Sequence, residues 1–341
     1  MKKYKLQWLL IIIMMTAVGC TLKHPAGMIM TVNGPIQPGE MGMTLPHEHV
    51  LVDFVGAEDT GYHRWDRDQV AQQVLPYLMQ MRELGLQTLV ECTPKYMGRD
   101  PELMRMLSKA SGLQILTNTG YYGAYGYKYL PPHVLTDTAE ELAARWIDEW
   151  EHGIENTGIR PGFIKIAVDG DTSLSEMHCK LVRAAAIAHN ATGLVINCHS
   201  GPGTPFRQVY NLVLKEGAPA DALIWTHANR GTVQENMDLA QQGVWISYDK
   251  LNDNPETIQH YVDLLGNMKK NRLLQKGLVS HDAGWYDPAK PNGGPFRDYT
   301  TAFSKLVPAL LENGFTRADI DQIFIENPKQ AYTIKSISGK D

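Results

Sequence analysis

A chain of 341 residues, 43% hydrophobic and 20% charged, has the make-up of a globular protein with a sizeable core. Its formal net charge of −5, with no lysine- or arginine-rich run, excludes a nucleic-acid partner. The length fits one large barrel or two smaller domains.

Residues 1–19 read as a signal peptide. Lys2, Lys3 and Lys5 precede an apolar core from Leu9 to Val18 that is too short to span a bilayer comfortably. Ala17-Val18-Gly19-Cys20 has the form of a bacterial lipobox, with Ala17 where leucine is commoner. Cys20 is then lipidated and becomes the new N-terminus, and Thr21 after it directs the protein to the outer membrane. A plain secretory signal is the alternative. Residues 20–27 form the lipidated cysteine and a linker, and residues 28–341 a single domain. The remaining Cys92, Cys179 and Cys198 are odd in number and lie in periodic segments, so buried free thiols are expected.

From there strand-like and helix-like segments alternate. The first strand contains Pro46-His47-Glu48-His49-Val50-Leu51, in which His47 and His49 share one face and Glu48 points oppositely. A helical pattern covers about 68–85, with Pro76 expected to kink it. The second strand is 87–93. Asp100 caps a helix with Pro101 at its first position and Gly112 past its end. The third strand, 113–119, runs into a tyrosine-rich loop, 120–127. Thr138-Ala139-Glu140-Glu141 is a capping box. Strands four to eight follow at 162–168, 194–199, 222–227, 244–249 and 276–282. Helices are expected over about 175–190 and 232–242, from Asn254-Pro255, and over about 299–311 and 317–324.

Eight short apolar strands separated by helices imply a parallel sheet covered on both faces. In this length they favour a (β/α)₈ TIM barrel over a doubly wound sheet. In such a barrel the chemistry gathers at the C-terminal ends of the strands. The polar residues there are His47 and His49 on strand one, His199 on five, His227 on six and Asp282 on eight. Lys165 stands mid-strand on four among Phe163, Ile164, Ile166 and Ala167, where a bare ammonium is expensive unless it snorkels to the rim. Any one of these histidines alone reads as a core residue, and Asp282 alone as a cap. Together they read as a metal site.

The set resembles the phosphotriesterase family of the amidohydrolase superfamily, from about Met30 to Tyr332. Thr44-Leu45-Pro46-His47-Glu48-His49 is similar to that family's strand-one His-x-His, and Gly162-Phe163-Ile164-Lys165-Ile166-Ala167 to the segment holding its carboxylated lysine. Gly162 to Asp169, Val279 to Asp282 and Glu326-Asn327-Pro328-Lys329 look closest to the phosphotriesterase-like lactonases. Tyr122 matches their active-site tyrosine. Asp249 matches a pocket aspartate, with Lys250 where an arginine is usual.

The resemblance implies two divalent metal ions, zinc first among the candidates. His47, His49 and Asp282 would bind one and His199 and His227 the other, with carboxylated Lys165 between them. A hydroxide bridging the metals would open a lactone or related ester, with Asp282 as general base and Tyr122 orienting the leaving oxygen. Phosphotriester hydrolysis is the alternative. A mononuclear deaminase, which does not need Lys165, and a non-catalytic binding lipoprotein rank below it. The implied partners are a small-molecule substrate, a lipid anchor at Cys20 and a second copy in a homodimer.

One departure stands out. The family often carries an acidic residue three places after the strand-six histidine, and here that position is Arg230. A guanidinium cannot take a proton but suits a carboxylate or phosphate on the substrate. The expected pocket mouth combines Tyr121, Tyr122, Tyr125, Tyr127, Trp285 and Tyr286 with Arg230 and Lys250, Arg230 being partly dry. An anionic lactone, such as that of a sugar acid, fits this description.

Overall fold

The computed structural model describes residues 26–169 and 173–336. The signal peptide, Cys20 and the linker as far as residue 25 lie outside the described residues. Among the described residues no helix is long and apolar enough to cross a membrane.

The chain enters through an antiparallel hairpin too short to show a strand period, β1 (Ile29–Thr31) and β2 (Gly34–Ile36). It docks on the bottom of the barrel, where Val32 N–H donates to Ile115 O. Gly162 is needed here, because a Cβ at that position would lie 2.5 Å from Met30 O.

The barrel strands follow in order: β3 (Thr44–Glu48), β4 (Thr88–Glu91), β5 (Gln114–Leu116), β6 (Asn118–Thr119), β7 (Phe163–Ala167), β8 (Ile196–His199), β9 (Leu223–Thr226), β10 (Trp245–Tyr248) and β11 (Gly277–Val279). β5 and β6 are two pieces of the expected third strand, interrupted at Thr117. All pairings from β3 round to β11 are parallel and between sequence neighbours. The last gap closes where Asp282 N–H donates to His47 O, His49 N–H to Ala283 O and Tyr286 N–H to Val50 O. This is the closed (β/α)₈ barrel.

Helices Arg67–Glu83, Pro101–Ser111, Ala139–His152, Glu176–Thr192, Val233–Gln241 and Pro255–Lys270 stand where periodicity placed them. Asp66, Asp100, Thr138, Ser175, Thr232 and Asn254 cap them through their side chains. The helix Gly203–Lys215 was not expected; its opening Ser-Gly-Pro-Gly-Thr-Pro reads locally as loop. Pro76 does not end the first helix, which runs through it. Both Pro76 and Gln72, the residue whose carbonyl loses its partner, face solvent, and water can satisfy that oxygen.

β7 shows how the interior is layered. Phe163 joins a floor cluster with Val90, Leu116, Ile224, Trp245 and Leu278, one apolar side chain from most strands. Ile164 and Ile166 face the helices, and Ala167 packs with Tyr122 near the mouth. Lys165 lies between floor and mouth, 1% exposed. The snorkelling explanation for this lysine is therefore excluded. Cys92, Cys179 and Cys198 are free thiols, the first and last buried and Cys179 only half-buried.

Candidate metal centre

β3 presents His47 and His49 to the cavity at the C-terminal end of the barrel, as the period-two pattern requires. His49 Nε2 lies 3.0 Å from Asp282 Oδ1, and His47 Nε2 lies 3.8 Å from the same oxygen. Lys165 Nζ is 3.4 Å from His47 Nε2. Beside this group, His199 Nδ1 and His227 Nε2 approach to 2.9 Å. His227 Nε2 is also 3.8 Å from Asp282 Oδ2. All six residues named from the strand ends converge on one site.

The backbone is shaped for this. His227, Lys250, Asp282 and Trp285 have φ of 67°, 98°, 52° and 74°, a region costly for residues with a Cβ. Each immediately follows a barrel strand or stands in the loop beyond it, where strain held by the surrounding fold turns a side chain into the cavity.

Among the described residues, two trios bring ligand atoms within 4.8 Å of one another: His47, His49 and Asp282, and His47, His227 and Asp249. They differ in kind. Asp249 is fully buried behind the site and lines none of the pocket wall. Its Oδ2 lies 3.2 Å from His47 Nδ1 and 3.6 Å from His227 Nδ1, and accepts from His227 N–H at 2.9 Å. Ser247 Oγ donates to its Oδ1 at 2.8 Å. The expectation that Asp249 touches substrate is corrected here. A carboxylate facing both Nδ1 atoms favours the Nδ1–H tautomers and leaves the Nε2 lone pairs toward the cavity. Thr93, which the sequence did not flag, holds the other edge of the His49 ring, its Oγ1 being 2.8 Å from His49 Nδ1.

Electrostatics point the same way. Burial, with the Lys165 charge behind it, holds His47 and His199 well below the ordinary histidine range. Burial and the neighbouring His199 do the same for His227. These imidazoles are neutral and offer lone pairs. Burial opposes ionisation of Asp282, but the hydrogen bond from His49 and the neighbouring imidazoles and Lys250 ammonium outweigh it and hold the carboxyl well below its usual range. Neutral imidazoles and an ionised carboxylate are the protonation states a divalent metal needs. The donor set fits such ions.

The pocket over this centre is walled by Val52, Phe54, Met97, Tyr122, Tyr125 and Trp285. Tyr122 Oη lies 3.1 Å from His199 Nδ1, and burial raises its phenol well above the ordinary value, so it stays a donor. Tyr125 stacks on Tyr122 with ring centroids 6.2 Å apart. The rest of the expected aromatic mouth turns away. Tyr121 packs on Trp146 and meets His133, Tyr127 donates to Ser175 Oγ, and Tyr286 is buried beneath Gly293. Consecutive residues in an irregular loop do not all face one way.

The two cations also differ from expectation. Lys250 Nζ is 2.5 Å from Asp282 Oδ2 and lies over the Trp285 ring, so it is engaged with the centre. Arg230 lines the pocket but is exposed, so no dry environment surrounds it.

The model of the family described as "Phosphotriesterase family" matches residues 27–332. The "Phosphotriesterase homology protein" of Escherichia coli (strain K12) is 28% identical over 300 residues, covering 85% of this chain and 98% of its own. The "Aryldialkylphosphatase" of Saccharolobus solfataricus is 28% identical over 320 residues, covering 87% and 97%. A solved structure from the engineering of organophosphate hydrolysis activity from a weak promiscuous lactonase template matches at a TM-score of 0.78 and 26% identity, covering 89% of this chain and 99% of that one.

Proposed function

The chain belongs to the phosphotriesterase family, and from that premise we propose that it is a binuclear metal-dependent hydrolase that opens a lactone or related ester. The observation that carries the proposal is the meeting of six side chains from five strands of the barrel: neutral His47, His199 and His227, His49, ionised Asp282, and buried Lys165. His47, His49 and Asp282 would hold one ion and His199 and His227 the other, with Lys165 between them as a carbamate. Zinc suits this mixture of nitrogen and oxygen donors. Bound there, two such ions would supply Lewis acidity and a water acidic enough to react near neutral pH.

The chain's own residues do the rest. Asp282 turns Oδ1 toward His49 and Oδ2 toward Lys250, and its ionised carboxylate is the group placed to receive the proton lost by the attacking water. Tyr122, held protonated, donates to the oxygen that becomes the leaving alkoxide. In a lactone that oxygen stays tethered to the product. Trp285, Phe54, Met97 and Val52 exclude water from the acyl side, and Arg230 at the mouth meets an anionic substituent.

Support for the lactone reading comes from the likeness of Tyr122 and the Gly162–Asp169 segment to lactonases, and from the lactonase template among the structural neighbours. The aryldialkylphosphatase relative favours phosphotriesters as the second reading. The deciding experiment loads the purified protein with zinc, counts the metal, and assays lactones, esters and phosphotriesters side by side. Two metals per chain with kcat/KM highest for a lactone is the expected result. One metal, or a clear preference for phosphotriesters, would replace the proposal. Anchoring through Cys20 belongs to the same proposal, and Cys20→Ser should abolish lipid labelling without loss of hydrolysis.

A further inference from the structure

We propose that Asn197 is a positioning residue that selects the carbamate form of Lys165 and aims it at the histidines; this rests on the reading of Lys165 as a carboxylated bridge. Asn197 faces Lys165 across the β7–β8 pair, in direct register. Its Oδ1 accepts from Lys165 Nζ at 2.9 Å and from Thr226 Oγ1 at 2.5 Å. Its Nδ2 donates to Tyr332 Oη at 3.3 Å and toward Cys92 Sγ at 3.8 Å. All these groups are buried.

The network fixes which way the amide points. Tyr332 Oη spends its single proton on Pro46 O, 2.9 Å away, and a backbone carbonyl can only accept. Toward Asn197 the phenol oxygen is therefore an acceptor, and Nδ2 must face it. Oδ1 is then left for Lys165. Because Pro46 immediately precedes His47, the same chain of bonds that orients Asn197 also holds the strand carrying the first histidine.

Donor counting gives the selection. An ammonium carries three N–H bonds, but among the described residues Lys165 finds one oxygen acceptor, Asn197 Oδ1. Its other close neighbour, His47 Nε2 at 3.4 Å, is the lone pair turned to the metal. A carbamate nitrogen carries one N–H, which matches one acceptor. The free amine adds its lone pair to the carbon of CO₂. A C–N bond forms, one C=O electron pair moves to oxygen, and one proton leaves Nζ for water. The product is Lys–NH–COO⁻ with a single N–H. Because that nitrogen is planar, fixing its N–H on Asn197 turns the carboxylate away from Asn197, and His47 Nε2 lies 3.4 Å from the same nitrogen.

The test labels the zinc-loaded full chain with ¹³C-bicarbonate and measures the carbamate signal by NMR, the bound metal and the fold by circular dichroism. The comparison is between wild type, Asn197→Leu and Asn197→Asp. The leucine removes the acceptor. The aspartate is isosteric and folds most conservatively, but keeps Lys165 as its ammonium counter-ion. Both variants should lose the labelled carbamate and about one metal, by roughly tenfold or more in occupancy. Tyr332→Phe, which frees the amide to turn, should give an intermediate signal. A full carbamate signal with two metals in either folded Asn197 variant would overturn the proposal and leave the bridging role of Lys165 intact. No carbamate signal in the wild type would overturn both.

Discussion

The carboxylate of Glu48 and the ring of His281 join the first barrel strand to the last. His281 Nδ1 lies 2.7 Å from Glu48 Oε1, while Ala302 N–H donates to His281 Nε2 at 3.0 Å. Nε2 is thereby an acceptor, so the proton sits on Nδ1 and points at the carboxylate. Ser280 Oγ and His281 N–H donate to the same oxygen, and Ala283 N–H to the other. Four donors converge on one fully buried carboxylate between the segments that carry His47, His49 and Asp282.

Glu48→Gln should therefore destabilise by about 2–4 kcal/mol, because its amide would oppose one N–H donor with another and weaken every remaining bond. Chemical denaturation of the metal-free protein measures this. A change within 0.5 kcal/mol, the ordinary scale of surface substitutions, would show that the ladder closes without the carboxylate.

Much of this was legible in the chain. The alternation of Pro46-His47-Glu48-His49 placed both histidines on one face and Glu48 on the other, because period two is enforced by the pleat. What Glu48 does on its own face was not legible, since its donors come from residues more than 230 positions away. Asn197 and Asp249 illustrate the same point. Both were visible as polar residues on apolar strands, but their partners are set by register across the barrel. The cage of tyrosines failed for a different reason. An irregular loop has no period, and side-chain direction cannot be read from spacing there.

Acidification should destabilise the metal-free protein. His47, His199 and His227 titrate lower in the folded chain than in the unfolded one, so below about pH 6.5 the unfolded state binds more protons. Stability from these groups is present above that value and is lost as the pH falls toward the folded values. Melting temperatures between pH 7.5 and 5 should fall for the apo wild type and fall less steeply for His199→Asn. Parallel curves would place the acid sensitivity elsewhere.

Lys165→Ala should bind fewer metal ions and lose nearly all hydrolysis, and a short-chain carboxylate added to the buffer should restore part of both by occupying the vacated volume. Two metals and full turnover in this variant would remove Lys165 from the bridge.

Lys250 bears on Asp282, the proposed general base. Its ammonium touches Asp282 Oδ2 and is one of the charges holding that carboxyl low. Lys250→Ala should move the acid limb of the kcat profile to higher pH, since removing a nearby positive charge makes the carboxylate harder to ionise. Asp282→Asn should cost roughly 10²–10⁴-fold in kcat, the usual worth of a positioned base. An acid limb unmoved by Lys250→Ala would mean that the limb reports another group.

Under the proposed function, Arg230 selects for the charge of the substrate. Lys250 is committed to Asp282, whereas Arg230 stands in the pocket wall with no ion pair among the described residues. A guanidinium in that position can receive a carboxylate or phosphate in a two-pronged hydrogen bond. It is exposed, so it leaves little desolvation penalty when a neutral substrate binds. The gain for an anion is correspondingly moderate and screened by salt. Arg230→Ala should therefore raise KM for an anionic lactone roughly five- to tenfold, a cost of about 1–1.4 kcal/mol, and leave that of its neutral analogue nearly unchanged, with kcat little altered for both. In the wild type, KM for the anionic substrate should rise with ionic strength, and in the variant that dependence should flatten. If both substrates suffer equally and salt acts alike on the two proteins, Arg230 shapes the loop after β9 and reads no charge.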